Sequence, residues 1–400
     1  MRIKTITTAL ITAAAVSAAL FGCGKAQRPP EPIGAESPFA SFRDIPDITA
    51  EEIAAIEALQ KKYGSFVYGM PPTAEAFFDA KSGGEVMGFS ALFCEWLTNL
   101  FQISFNPALY AWSDMIGGLE RREIDFTGDL MATDERRASY LMTDAIAVRS
   151  LALFRISGAP PISIIAGSRP PRFAFLKNSA AFAAVNAAAE MSFDSVFVSG
   201  FPEAYEALAS GEADAFISAD ISEASFIAYG NVVSEAFFPM VYSSVSLSTQ
   251  SPELAQVVSV VQKALRHGGT RHYLAGLYQA GNNEYRRHKL FARLSEEERA
   301  YLRNTASVPM VARYFNYPID FYNTYEKKWD GLVFDVLREV EELTGLAFVV
   351  VNGKNANLTE LYEMVRVGEA HIVPEMIISN ERKEHYIWTE HKFIADQYAL

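Results

Sequence analysis

The sequence predicts an α/β fold in which two lobes face each other as a clamshell, followed by the first lobe of a second such unit. Three observations predict it. Short strand-like runs alternate with apolar-striped helical segments from Phe66 onward, the alternation breaks and restarts after Leu151-Ala152-Leu153-Phe154, and pieces of the first lobe recur about 245 residues later. At 400 residues the chain is longer than the ~250–300 at which a single core stops growing, so several cores are required. Its 35 basic against 48 acidic residues give a formal net charge of -13, which repels phosphate backbones and excludes nucleic acid as a partner. The two cysteines, Cys23 and Cys94, and the six histidines have no ligand spacing. Neither a zinc framework nor a set of disulfides can be built from them, and no cofactor is expected.

The elements follow in order. Arg2 and Lys4 precede an uncharged run from Ile6 to Phe21, the layout of a secretory signal over residues 1–23. Residues 24–48 contain Pro29, Pro30, Pro32, Pro38 and Pro46 among small and polar residues, a composition that reads as a disordered linker. A leading helix over 49–65 opens at Thr49, with Glu52 closing a capping box. Phe66-Val67-Tyr68 is a short strand. Phe89, Leu92, Phe93, Trp96, Leu97, Leu100 and Phe101 then recur at helical spacing, with Cys94 beside the stripe as a small core residue. Ser113 caps a helix running through Leu119, and Ile124-Asp125-Phe126-Thr127 returns as a strand. Such alternation implies crossover connections and a parallel sheet covered by helices.

The second lobe repeats the pattern. Strands are expected at Arg172–Phe175, Ser195–Val198 and Ala215–Ile217, and helices at Ala180–Ala189 and Glu203–Leu208. Val245-Ser246-Leu247 then leads into an amphipathic helix from Pro252 to Leu265 that packs back on the first lobe. This places lobe 1 at about 66–154 and 245–282 and lobe 2 at about 155–244. The basic run Tyr285-Arg286-Arg287-His288-Lys289 reads as a solvated face of a linker over 283–307, where Ser295 and Glu298 form another capping box.

The repeat is the most specific feature. Gly88-Phe89-Ser90-Ala91-Leu92 is echoed by Gly331-Leu332-Val333-Phe334-Asp335, an offset of 331 − 88 = 243. Thr133-Asp134-Glu135-Arg136 with Thr143 matches Ser379-Asn380-Glu381-Arg382 with Thr389, an offset of 382 − 136 = 246. Helical periodicity alone does not reproduce a polar cluster with its downstream threonine. Residues 308–400 are therefore expected to be the first lobe of a second domain, and the chain to be truncated within it.

The Gly-initiated helix, the Trp112-Ser113 start, Ile124–Asp129, and above all Thr133-Asp134-Glu135-Arg136 followed by Met142-Thr143-Asp144 resemble bacterial extracellular solute-binding proteins of family 3. These are the type II periplasmic binding proteins for polar amino acids. The tandem arrangement resembles the sensory halves of histidine kinases and related signalling proteins. The resemblance implies that Arg136 clamps an α-carboxylate with its planar fork, that Thr133 adds a hydroxyl, and that Trp112 and Phe77 or Phe78 form apolar walls. Asp129 would meet the ammonium. From the second lobe, Lys177-Asn178-Ser179 precedes a helix whose free N–H groups would receive a carboxylate. Asp220 is an acid displaced from the family position by Ser218 and Ala219. In the second copy Arg382, Ser379 and Tyr317 are the corresponding candidates, while Leu358 stands where Trp112 does in the first.

Leu20-Phe21-Gly22-Cys23 resembles a lipobox, implying lipid attachment at Cys23 and an exported, membrane-anchored protein. The function implied is extracytoplasmic binding of a small polar, amino-acid-like solute as the input region of a signalling protein. The alternative is a lipoprotein receptor feeding an ABC permease. No Ser/His/Asp or Cys/His set converges, and Glu95, Glu135 and Glu298 sit in helix or cap contexts, so no enzyme activity is expected.

Overall fold

The computed structural model describes residues 36–78 and 84–389. The signal-like segment, Cys23 and residues 390–400 lie outside the described residues.

The first lobe is built on a parallel pair, β1 (Ser65–Met70) and β4 (Ser104–Leu109), in register from Ser65↔Ser104 to Met70↔Leu109. A parallel bridge from Tyr68 to Phe126 brings in β5 (Thr127–Met131). A small hairpin, β2 (Phe77–Phe78) with β3 (Val86–Met87), precedes the next helix. Helix α1 (Ala50–Lys62) is opened by the Thr49/Glu52 capping box. Helix α2 (Phe89–Phe101) starts at Gly88, whose φ of 96° and close approach to the Glu75 carbonyl, 2.6 Å from where a Cβ would stand, require glycine. Its stripe of Phe89, Phe93, Trp96, Leu97, Leu100 and Phe101 is buried. Helix α3 (Trp112–Glu120) follows, and Ala111 is its N-cap, so Ser113 lies in the first turn rather than capping it. The four-residue helix α4 (Asp134–Arg137) is capped by Thr133.

Two strands carry the chain between lobes. β6 (Leu141–Ile156) is 16 residues long and β11 (Tyr242–Thr249) runs antiparallel to it and to β5. Beyond Leu151, β6 enters the second sheet and pairs with β9 (Ala215–Ala219) and β10 (Val232–Ala236). β9 is parallel to β7 (Arg172–Leu176), and β7 to β8 (Asp194–Val198). The helices here are α5 (Ile162–Ala166), α6 (Ala181–Ala188) and α7 (Phe201–Ser210), and a 3-10 segment spans Asp220–Tyr229. The chain returns to the first lobe as α8 (Ala255–Arg266) and α9 (Gly268–Arg293). Phe66, Phe93, Phe105 and Phe126 sit in a first-lobe core closed by Val257, Val260, Val261 and Leu274 of those two helices.

Several expectations are corrected. Residues 36–48 are not a loose linker, because Phe39, Phe42 and Ile45 are buried in the first core and the Phe42 ring stacks on Phe101 at 6.1 Å. Three apolar residues at three-residue spacing outweigh the proline-rich average. The strand read at Ile124–Thr127 is displaced to Thr127–Met131, with Phe126 just before it already bridged to Tyr68 of β1. The helix read from Pro252 begins as a 3-10 turn and becomes α-helical at Ala255. Helix α9 runs unbroken across residues 282 and 283, since nothing between Gly268 and Arg293 breaks it.

Beyond α9 come α10 (Glu296–Asn304), opened by the Ser295/Glu298 box, and β12 (Ser307–Met310), a hairpin of β13 (Phe321–Asn323) and β14 (Lys328–Asp330), α11 (Leu332–Thr344) and β15 (Ala347–Val350). α12 (Leu358–Arg366) and α13 (Asn380–Lys383) complete the described chain. β12 and β15 are parallel, as β1 and β4 are. Gly331 starts α11 at φ 122°, with a Cβ position 2.5 Å from the Ile319 carbonyl. No helix among the described residues is long and apolar enough to cross a membrane.

Candidate functional site

The two lobes are closed on each other. Met115, Ile116, Leu119 and Ile124 from the first lobe form one buried cluster with Leu176, Phe201, Phe216 and Phe226 from the second. Polar ties bound this contact. Trp112 Nε1 donates to the Lys177 carbonyl at 2.9 Å, and Arg136 Nη2 to the Asn178 carbonyl at 2.7 Å. On the opposite rim Ala74 N–H donates to the Ile221 carbonyl at 2.9 Å and Ser225 Oγ to the Pro72 carbonyl at 2.6 Å.

Between them is a cavity of about 70 Å³ whose lining includes Thr73, Trp112, Asp129, Arg136, Arg149, Ser179, Ser218, Ser222 and Ser243. The volume is about half the ~150 Å³ of a cavity that takes up a benzene. Four sequence candidates, Arg136, Trp112, Asp129 and Ser179, line it together.

The remaining candidates lie elsewhere. The Thr133 hydroxyl accepts the Arg136 amide at 3.2 Å as the cap of α4. Phe77 packs on Tyr285 and His288, with ring centroids 5.5 and 4.8 Å away, behind the hairpin rather than in the cavity. Phe78 is exposed. The Asp220 carboxylate accepts the Ser150 hydroxyl at 2.6 Å and its neighbour's amide at 2.8 Å. Ser179, which does line the cavity, also accepts the Ala181 amide at 3.4 Å, at the start of α6.

The buried ion cluster at the cavity was missed in the sequence. Arg149, 4 % exposed, is gripped by Glu75 through Nε and Nη2 at 2.9 and 2.8 Å, and Nη1 bonds Asp129. Arg149 comes from the middle of β6, Glu75 from the segment before the hairpin and Asp129 from β5, so only folding brings them together. Burial pushes the Asp129 carboxyl up, against the pull of Arg149. Burial alone would lower Arg149, but Asp129 and Glu75 hold it above the ordinary guanidinium value. Burial, and then the adjoining Glu75 carboxylate, raise the Tyr278 phenol on α9. Arg136 is lowered by burial and has no carboxylate partner among the described residues; it donates to the Met131 and Asn178 carbonyls. The cavity thus holds a guanidinium with no direct carboxylate partner, facing a cluster with one more acid than base.

A smaller pocket in the later segment is lined by Arg313, Asp320, Leu358 and Glu375. Arg313 pairs with both Asp320 and Glu375. Ser379 caps α13 by accepting the Arg382 amide at 3.3 Å, and Arg382 Nη1 donates to the Ile377 carbonyl at 3.1 Å. Tyr317 is exposed. No group of His, Cys, Asp and Glu among the described residues is arranged to hold a metal ion.

No family model matches the chain, and no curated protein matches it. Among solved structures, it is similar to a P235GK mutant of ArgBP from T. maritima, at 16 % identity and a TM-score of 0.44 over 58 % of this chain and 98 % of that one. It is similar to the amino-acid ABC transporter substrate-binding protein AbpA from Streptococcus pneumoniae bound to L-arginine, at 13 % identity and a TM-score of 0.46 over 57 % and 98 %. It is also similar to the periplasmic VFT2 domain of Bordetella pertussis BvgS, at 17 % identity and a TM-score of 0.46 over 57 % and 97 %.

Proposed function

We propose that residues 66–282 bind a small polar, amino-acid-like solute in the cleft, as the sensory input region of a signal-transduction protein. The observation that carries this reading is the cavity between two lobes joined by two crossing strands, with a guanidinium and a carboxylate cluster facing one space. Arg136 receives the ligand's carboxylate by exchanging its carbonyl partners for a charge-assisted fork. Asp129, kept by Arg149 in an acid-rich cluster, meets the ammonium. Thr73, Ser218, Ser222 and Ser243 supply hydroxyls for the remaining polar atoms.

Residues 308–389 are read as the corresponding part of a second domain. Support comes from Gly88 and Gly331, each at positive φ against a carbonyl, and from Arg136 and Arg382, each following its capping hydroxyl and each bonded to the carbonyl five residues before it. A second role, as a lipoprotein receptor for an ABC permease, is favoured by the Leu20–Cys23 motif; incorporation of radiolabelled palmitate lost in Cys23→Ser tests the anchor.

The test of the main reading is a thermal-shift screen of the full chain with the twenty amino acids and small dicarboxylates, beside Arg136→Ala. A solute at ~100 times its Kd adds about 2.7 kcal/mol, and a shift of several degrees is expected for wild type and none for the variant. A shift that survives Arg136→Ala moves the carboxylate site elsewhere, and no shift with any solute removes the reading.

A further inference from the structure

Helix α9 touches three parts of the molecule within a few turns. Against the first lobe its seat is rigid. A Cβ on Gly281 would stand 2.2 Å from the Phe89 amide nitrogen, the Glu284 carboxylate accepts the Gly88 amide at 3.0 Å, and Tyr285 and His288 pack on Phe77. From the second lobe, Glu223 pairs with Lys289. From the segment beyond residue 307, Glu339 of α11 pairs with Arg286 at 2.7 Å. Arg286 and Lys289 are three residues apart, hence neighbours on one face of the helix.

The Glu223 end connects to the cavity through the chain itself. Ile221 and Ser222 line the cavity, and Glu223 follows them in the same 3-10 segment. That segment is also held by the Ala74 and Ser225 bonds across the cleft rim. A movement of the second lobe that breaks these rim bonds therefore displaces Glu223 against Lys289, one turn from the contact with α11.

We propose that α9 transmits the state of the cleft to α11 through Glu223–Lys289 and Arg286–Glu339. Partly exposed ion pairs are individually weak; the close seat of α9 on α2 makes it a lever, because the helix cannot yield by sliding away. The inference deepens the solute-binding reading by naming how the state of that cleft is passed on. Its test uses no solute, so it can fail while that reading stands.

The experiment is amide hydrogen exchange read by mass spectrometry on the full chain, comparing wild type, Glu223→Lys, Lys289→Glu and the double swap. All four side chains of the two pairs are partly exposed, and melting curves verify that each variant is folded. Each single variant is expected to speed exchange in 220–229 and, at a distance, in 332–344 by about fivefold, the lower end of coupling between sites. The double swap restores both. Exchange in 332–344 that stays at the wild-type rate while 220–229 changes would overturn the proposal, as would failure of the double swap to restore it. Arg286→Gln gives an independent check: it is expected to abolish the response of 332–344 to Glu223→Lys, and a response that persists rules out this route.

Discussion

Arg149 and Asp214 show how differently a buried charge behaves in the two lobes. Arg149 sits at the cavity between two carboxylates, and a buried ion left without its partner costs about 3–5 kcal/mol, so the cluster stands or falls together. Asp214 lies at the far edge of the second lobe, where Arg169 and Arg172 bond it at 2.7 and 3.0 Å and Arg172 N–H donates at 2.8 Å. The Arg169 guanidinium first, and then Arg172, hold its carboxyl well below the ordinary range. The folded value is below the unfolded one, so the stabilisation is present at neutral pH and is lost as pH falls below the ordinary carboxylate range toward the folded value. Wild type is therefore expected to melt higher than Asp214→Asn at pH 7, with the gap beginning to narrow only below about pH 4 and still closing at about pH 2. A gap that stays constant would show the ion pairs to be without effect.

At the scale of elements, the α2–α9 contact sets two rules against each other. Gly281 lies in a helix interior, where alanine is favoured by about 1 kcal/mol on helix propensity. Its Cβ would meet the backbone of Phe89, which cannot rotate away, and overpacking of this kind costs about 1–3 kcal/mol. Gly281→Ala is expected to lower the melting temperature, and a rise would show that α9 can move off α2. Elements of this kind were readable where amphipathicity is local: α1 and α10, with their capping boxes, and α2, with its stripe, stand where the sequence put them. β6 was not readable at its full length, because a strand that serves two sheets changes its buried face at the crossing and shows no single alternation.

For the whole molecule, residues 36–48 belong to the first lobe. Phe42 is fully buried, with its ring stacked on Phe101. Phe42→Ala is expected to cost about 3–5 kcal/mol and to lower the first unfolding transition by several degrees, measured by scanning calorimetry; a loss under one degree would return the segment to a linker. The same lobe holds α9, so the body that closes on the second lobe also carries the contact to α11.

The sequence by itself determined the alternation of strands and helices, the glycine that opens α2, the capping boxes and the paired motifs at Arg136 and Arg382, because each depends on residues within a few positions of one another. It also supplied, through resemblance rather than through spacing, a candidate group of which Arg136, Trp112, Asp129 and Ser179 line the cavity and Thr133, Phe77 and Asp220 do not. Only the tertiary structure decided that Glu75, 74 residues from Arg149, completes the charge cluster, that Phe77 faces α9 instead of the cavity, and that Arg136 and Trp112 tie one lobe to the other. Those contacts are set by how two sheets turn about β6 and β11, and no local pattern in the chain records that turn.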